Sequence, residues 1–218
     1  MIKALYFGLD PLRYQKRSLY QIVHCPLIKT LSRPFEEPSL QQALACFNRV
    51  SHLLLTSRSA VFLWNQYLVQ WACPVEVWQE KKILAIGGGT AEALRELPYP
   101  WTCSVSYRPQ KETSEGVCAL LQLLAPKPSF LLWPHSALSR SAIIESLQRL
   151  EIPYQAPILY DTVLEQPALL PSLEEFQVLI FSSPSTIDAF LHLYGSFPNH
   201  TLLETIGPTT KKYLSLLL

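Results

Sequence analysis

Val178-Leu179-Ile180-Phe181-Ser182-Ser183-Pro184-Ser185-Thr186-Ile187 is the stretch on which the reading of this chain turns. An apolar, partly β-branched run stops at small hydroxyl residues, and helical spacing resumes through Asp188, Ala189, Phe190 and Leu191. The pattern predicts a buried parallel strand, a tight turn, and a helix capped by Ser and Thr. Such a turn leaves backbone N–H groups at the positive end of a helix, where a carboxylate or phosphate is favoured.

Leu53-Leu54-Leu55-Thr56-Ser57-Arg58-Ser59-Ala60-Val61 repeats the pattern earlier in the chain. Each copy is followed by a glycine-bearing turn, Ile83 to Ala91 after the first and Leu203 to Thr210 after the second. The intervals are roughly 24 to 30 residues, about one strand–helix unit. The chain therefore reads as two related α/β halves, each presenting two anion-friendly turns.

Composition narrows the function classes. With 218 residues, 49% hydrophobic and 16% charged, the chain has room for one large or two small globular domains. A formal net charge of +1, with no Lys/Arg cluster, gives no electrostatic case for nucleic acid. No apolar run approaches a bilayer span, and Met1-Ile2-Lys3 opens into a strand rather than a signal peptide, so no membrane partner is expected. Cys25, Cys46, Cys73, Cys103 and Cys118 are scattered and form no C-x-x-C pair, which suits a reduced cytoplasmic protein using Cys as small core residues. His24, His52, His135, His192 and His200 show no ligand spacing, and no metal is expected.

In chain order, Lys3 to Phe7 reads as a strand ending at Gly8, Pro11 to Tyr20 as a short helix, and Gln21 to Ile28 as a strand broken by Pro26. Lys29 to Ser39 reads as a linker, because its prolines exclude regular helix or central strand. Helical spacing returns over Leu40 to Val50, and Trp101 to Tyr107 suggests a further strand. Lys111 to Val117 caps an apolar helix through Leu124, and Phe130 to Pro134 is a buried strand. A helix then faces Ile143, Ile144, Leu147 and Leu150 inward, and Glu151 to Val163 is extended, with Pro167 and Pro171 beyond. Two proline-bounded crossings imply an inserted domain: residues 1–33 and 168–218 form domain 1, residues 40–155 form domain 2, and 34–39 and 156–167 are linkers.

The chain resembles the uroporphyrinogen-III synthase family. The pieces that carry the resemblance are Leu55 to Val61, Ile86-Gly87-Gly88-Gly89-Thr90-Ala91, Thr113-Ser114-Glu115-Gly116-Val117 and Arg140 opening a Leu-rich helix. They continue with Leu159-Tyr160-Asp161-Thr162-Val163, Phe181-Ser182-Ser183-Pro184-Ser185 and Thr205-Ile206-Gly207-Pro208-Thr209-Thr210, in order over nearly the whole chain. The resemblance implies two parallel-sheet α/β domains joined by a two-stranded antiparallel linker, with the active site in the interdomain cleft. It implies closure of hydroxymethylbilane to uroporphyrinogen III with inversion of ring D: loss of the substrate hydroxyl gives an azafulvene cation, and a spiro intermediate rearranges. It also implies no cofactor, a cytoplasmic monomer, and hydroxymethylbilane synthase as a transient partner. The chain departs from the family pattern where Phe7-Gly8-Leu9 stands in place of Thr-Arg-Pro, and where it stops at Leu218 instead of carrying another strand and helix.

Tyr160 is the candidate group assisting departure of the hydroxyl; the other reading is a tyrosine packed on a domain interface. Thr56, Ser57, Ser114, Ser182, Ser183, Thr209 and Thr210, with Gly87 and Thr90, are candidate substrate-binding positions; any one of them alone also reads as a structural cap or turn, and the paired repetition favours Ser182, Ser183, Thr209 and Thr210 as a group. Arg58 and Arg140 are candidate carboxylate partners or solvated surface groups, and His135 reads as a structural histidine. The glycines of Gly87 to Gly89 fail the dinucleotide spacing, which removes a nucleotide-dependent enzyme. Argued without the family, duplicated α/β lobes also suit a binding module closing on an anionic small molecule without catalysis.

Overall fold

The computed structural model describes residues 2–11, 14 and 19–218. The short helix expected over Pro11 to Tyr20 lies outside the described residues but for a few positions. The chain divides into two compact units: Met1–Thr30 with Thr162–Leu218, and Leu31–Asp161.

The strands and helices are, in order, β1 (Lys3–Tyr6), β2 (Gln21–His24), β3 (Ile28–Ser32), α1 (Pro38–Ala45), β4 (His52–Leu55), α2 (Arg58–Gln70), α3 (Val75–Gln79), β5 (Lys82–Ala85) and α4 (Gly88–Arg95). They continue as α5 (Ser114–Leu123), β6 (Leu131–Leu132), β7 (His135–Ser136), α6 (Ala142–Arg149), β8 (Tyr154–Gln155), β9 (Ile158–Leu164), β10 (Val178–Phe181), α7 (Pro184–Tyr194), β11 (Leu202–Thr205) and α8 (Pro208–Leu214).

The discontinuous unit is built on a four-stranded sheet in the order β11-β10-β1-β2, with every pairing parallel. All four residues of β10 are buried, as a central parallel strand covered on both faces requires. On one face Phe7, Phe181 and Phe190 meet with ring centroids 5.2–5.4 Å apart, and Phe190 also stacks on Tyr194 at 4.7 Å. Pro184 occupies the first turn of α7, where its missing N–H costs nothing, and the helix stops at Gly195 with φ of 82°.

The continuous unit has its own four-stranded parallel sheet, in the order β5-β4-β6-β8. Its core gathers Trp64, Trp78, Phe47 and the leucines of β4, all buried. Pro38, read as a linker residue, is in fact the first residue of α1, a position where proline's fixed φ suits the helix. Trp101 to Tyr107 does not become a strand. Only an isolated bridge joins Leu84 to Tyr107, with Ser106 and Tyr107 donating to the Ile83 carbonyl. The Leu-rich helix opens at Ala142, beyond Arg140, and holds Ile143 and Leu147 fully inward while Ile144 and Leu150 are half-buried.

The chain crosses between units at residues 30–31 and 161–162. Arg33 N–H donates to Leu159 O at 2.7 Å and Glu165 N–H to Leu27 O at 2.9 Å, partner numbers that rise on one strand as they fall on the other. β3 and β9 therefore run antiparallel. The expected two-stranded linker gains a third strand, β7, parallel to β9, because His135 N–H reaches Pro157 O at 3.0 Å.

All five tryptophans, at 64, 71, 78, 101 and 133, lie in the continuous unit. Phe190→Ala is expected to destabilise the discontinuous unit by about 3–5 kcal/mol, the usual cost of emptying a packed aromatic site. In urea, far-UV circular dichroism should then show a transition preceding the one seen by tryptophan fluorescence. Coincident transitions would mean that the two cores unfold as one.

Candidate active site

In a parallel α/β sheet, ligands gather outside the carboxyl ends of the strands, where loops turn into helix N-termini. In the continuous unit, β4 ends at Leu55, and Thr56-Ser57 lead into α2. Ser57 is the N-cap: its Oγ accepts Ala60 N–H at 3.0 Å, as the sequence predicts. The same Oγ lies 2.9 Å from the Tyr160 hydroxyl of β9, which is 5% exposed. Either hydroxyl can donate in this contact; with Ser57 as the donor, the Tyr160 O–H is left to donate elsewhere. Beside them Trp133 Nε1 donates to Thr56 Oγ1 at 3.2 Å. Trp133 is not among the sequence candidates, since it reads as one more apolar residue of a buried strand.

The glycine turn after β5 is held by two long-range contacts. Arg58 Nη2 pairs with Glu96 Oε2 at 2.6 Å and its Nη1 donates to Gly89 O at 3.3 Å, while the guanidinium lies 5.6 Å from the Phe62 ring centroid. Arg58 thus ties α2 to α4 and orients the turn. Gly88 N–H donates to Glu112 Oε1 at 2.8 Å, and Arg108 Nη2 donates to the same oxygen at 2.8 Å. Neither Arg108 nor Glu112 is a sequence candidate. Thr90 is buried within α4.

Ser114 begins α5, but the cap is Thr113, whose Oγ1 accepts Gly116 N–H at 3.2 Å. Arg140 is 60% exposed and 3.7 Å from Glu115 Oε1, a solvated surface pair rather than a member of the Ser57–Tyr160 group. A hollow of about 400 Å³ in this unit is lined by residues such as Arg33, Phe35, Tyr67 and Gln70, and includes none of the sequence candidates.

The discontinuous unit brings together a second group at the ends of β1 and β10. Ser183 is the N-cap of α7 and forms a capping box with Thr186: Ser183 N–H donates to Thr186 Oγ1 at 3.2 Å, and that hydroxyl donates to Ser183 O at 2.6 Å. Ser183 Oγ also meets Ser185 Oγ at 2.9 Å. Gly8 packs so closely that an added Cβ would lie 2.7 Å from Ser182 Cβ, and its carbonyl is 2.8 Å from His24 Nε2. In α8, Thr210 is buried at 3% exposure and Thr209 half-buried. Glu204 receives the hydroxyls of Tyr14 and Tyr20, the latter at 2.6 Å. Burial and then the Glu204 contact push the Tyr14 phenol up, while for Tyr20 the hydrogen bond to Glu204 leads. These tyrosines escape the sequence reading because their partner is 184–190 residues away.

A family model described as uroporphyrinogen-III synthase HemD matches residues 13–217. The chain belongs to the uroporphyrinogen-III synthase family. Its fold is similar to a mutant uroporphyrinogen III synthase from Thermus thermophilus, with a TM-score of 0.66 at 15% identity, over 99% of this chain and 89% of that one. It is also similar to the uroporphyrinogen-III synthetase of Helicobacter pylori, with a TM-score of 0.59 at 20% identity, over 100% of this chain and 89% of that one. The wild-type Thermus thermophilus synthase aligns with a TM-score of 0.57 at 15% identity, over 99% and 88% of the two chains. No curated protein sequence matches the chain.

Members of this synthase family are cyclising hydro-lyases of tetrapyrrole and heme biosynthesis whose substrate is hydroxymethylbilane. Nothing in the chain favours the non-catalytic carrier over a synthase. Behind the candidate site His135 stacks on Trp133 with centroids 4.2 Å apart, and its two nitrogens face the carbonyls of Ser136 at 2.8 Å and Ala156 at 3.2 Å. Burial lowers its pKa from 6.5, partly opposed by those carbonyls, and burial followed by the Lys82 charge lowers that of His52. Burial thus favours the neutral form of both histidines in the folded chain.

Their depressed pKa values set the sign of a pH effect. As pH falls below 6.5 the unfolded chain takes up these protons first, so the stabilisation present above that value is lost on acidification. Melting temperature is expected to fall between pH 7.5 and 5.5, each histidine contributing at most about 1.4 kcal/mol per pH unit. His135→Gln and His52→Gln should each flatten that slope. Unchanged slopes would assign the acid sensitivity to the carboxylates.

Proposed function

We propose that this chain converts hydroxymethylbilane to uroporphyrinogen III with Tyr160 and Ser57 at the departing hydroxyl and with the strand-to-helix turns of each unit binding substrate carboxylates. The observation that carries the residue assignment is the 2.9 Å pairing of Ser57 Oγ with the Tyr160 hydroxyl at the N-terminus of α2.

The chemistry asks little of the acid–base groups. The hydroxymethyl C–O bond breaks and the oxygen leaves as water, taking one proton; a hydrogen bond from Tyr160 to that oxygen lowers the cost of departure. The azafulvene cation then forms its new carbon–carbon bond to the terminal pyrrole, rearranges through the spiro intermediate, and returns a proton on rearomatisation. The larger task is holding a flexible chain with its two end rings in contact, where positioning supplies several kcal/mol. A chain of net charge +1 handles a polycarboxylate through backbone N–H groups and hydroxyls rather than through imported positive charge. Ser57, Ser182, Ser183 and Thr209 are the candidate hydroxyls, and the turn at Gly87 the candidate backbone approach.

We further take the enzyme to be a cytoplasmic monomer that uses no cofactor and meets hydroxymethylbilane synthase transiently. The support is chemical: the open substrate closes unaided to the I isomer, so brief transit between the two enzymes preserves it. Among the described residues no helix is long and apolar enough to cross a membrane.

The test supplies enzymatically generated hydroxymethylbilane, oxidises the products and resolves the I and III porphyrins. A protein-dependent rise in III is expected; only the I isomer from folded protein would overturn the assignment and return the carrier reading. Tyr160→Phe is expected to lower kcat about 10- to 100-fold, at or below the lower end of acid–base contributions, with a melting temperature close to wild type. An unchanged kcat/KM removes Tyr160 from the mechanism.

A further inference from the structure

The glycine turn of the continuous unit already contains a carboxylate, and it belongs to the chain itself. Glu112 Oε1 takes both the Gly88 N–H and the Arg108 guanidinium, each at 2.8 Å. The turn admits it at Gly87, where an added Cβ would lie 2.6 Å from the Glu112 carboxyl carbon. The side chain that fills the turn, two methylenes ending in a carboxylate, is chemically a propionate. Hydroxymethylbilane carries the same group on each of its pyrroles.

Glu112 is also held loosely. Its side chain is 49% exposed and that of Arg108 48%, and both lie in the irregular segment between α4 and α5. A half-exposed ion pair contributes little to stability, so displacing it is cheap. Two carboxylates cannot share one N–H and one guanidinium edge without strong mutual repulsion. Occupancy by Glu112 and by a substrate carboxylate is therefore exclusive.

We propose that Glu112 is an exchangeable internal carboxylate: it fills the Gly87–Gly89 turn in the empty enzyme and swings out when a propionate of the substrate enters, leaving Arg108 and Gly88 N–H to the newcomer. This deepens the functional reading above and rests on it. Glu112 keeps the donors of the turn satisfied between turnovers and sets a threshold that a weaker anion does not cross. Arg108 becomes a substrate-binding residue in the loaded state.

The experiment compares wild type, Glu112→Gln, Glu112→Ala, and Glu112→Ala combined with Arg108→Ala. KM for hydroxymethylbilane is one readout; the other is the Kd of uroporphyrin III, the stable oxidised polycarboxylate, by quenching of the tryptophans of this unit. Glu112→Ala is expected to lower both constants threefold to tenfold, and Glu112→Gln, which keeps the shape and loses the charge, to lower them less. Adding Arg108→Ala should raise both constants at least tenfold from the Glu112→Ala values. Unchanged or raised constants in both single variants would make Glu112 a permanent cap and overturn the proposal. Indifference of the double variant to Arg108 would do the same. If wild type makes no III isomer, the functional reading fails instead, and the order of the uroporphyrin Kd values still decides the exchange.

Discussion

A helix start leaves backbone N–H groups with no partner inside the helix, and this constraint organises the chain. In each unit a parallel strand runs apolar through the interior and can only turn back by way of a helix packed on the sheet. Every such helix begins beside the carboxyl end of a strand, so the unpaired donors collect on one edge. The fold must satisfy them when no ligand is there. Ser57 does so for α2, Thr113 for α5, Thr186 for α7, and Glu112 for α4.

Those four solutions differ in how easily a ligand replaces them. The Ser57 cap is local and closed by Ala60 N–H, and the same oxygen lies within hydrogen-bond distance of the Tyr160 hydroxyl. The Thr186 contact is folded back on Ser183 and leaves the Ser183 and Ser185 hydroxyls facing one another. Thr113 is spent on its own helix. Only at the glycine turn does a group come from 24 residues away on an exposed segment. Local caps are rigid because they move with the helix they serve; a remote cap is separable from it.

That distinction also marks what the sequence discloses. Apolar runs such as Leu53-Leu54-Leu55 and Val178 to Phe181, each ending at small hydroxyl residues, make strand, turn and helix legible, because their cause lies within a few residues. Ser57 as a cap is of that kind; the antiparallel β3–β9 pairing joins distant segments and follows from the family resemblance, not from local pattern. Pro38 is misread because proline breaks a helix interior but suits a first turn, and the spacing alone does not say which. Trp101 to Tyr107 carries strand-like composition, yet sheet formation needs a partner along its length, and Leu84 supplies it at Tyr107 alone. The candidate site is harder still. Arg58 finds Glu96 38 residues on, and Ser57 finds Tyr160 103 residues on, so charge and hydroxyl content are visible in the sequence while their pairing is not.

Near-neutrality is the last constraint. A strongly cationic pocket would bind a polycarboxylate tightly in every conformation, substrate and product alike, and uniform tightness does nothing for the chemical step. Backbone donors aimed from fixed helix starts discriminate by position instead, since each reaches only a carboxylate placed within hydrogen-bond distance. A substrate folded with its end rings together presents its carboxylates at one set of spacings, and the open chain presents them at many. On the proposed reading, binding through turns selects the folded conformer, with Arg58 held by Glu96 and Arg108 covered by Glu112 until a substrate carboxylate replaces it.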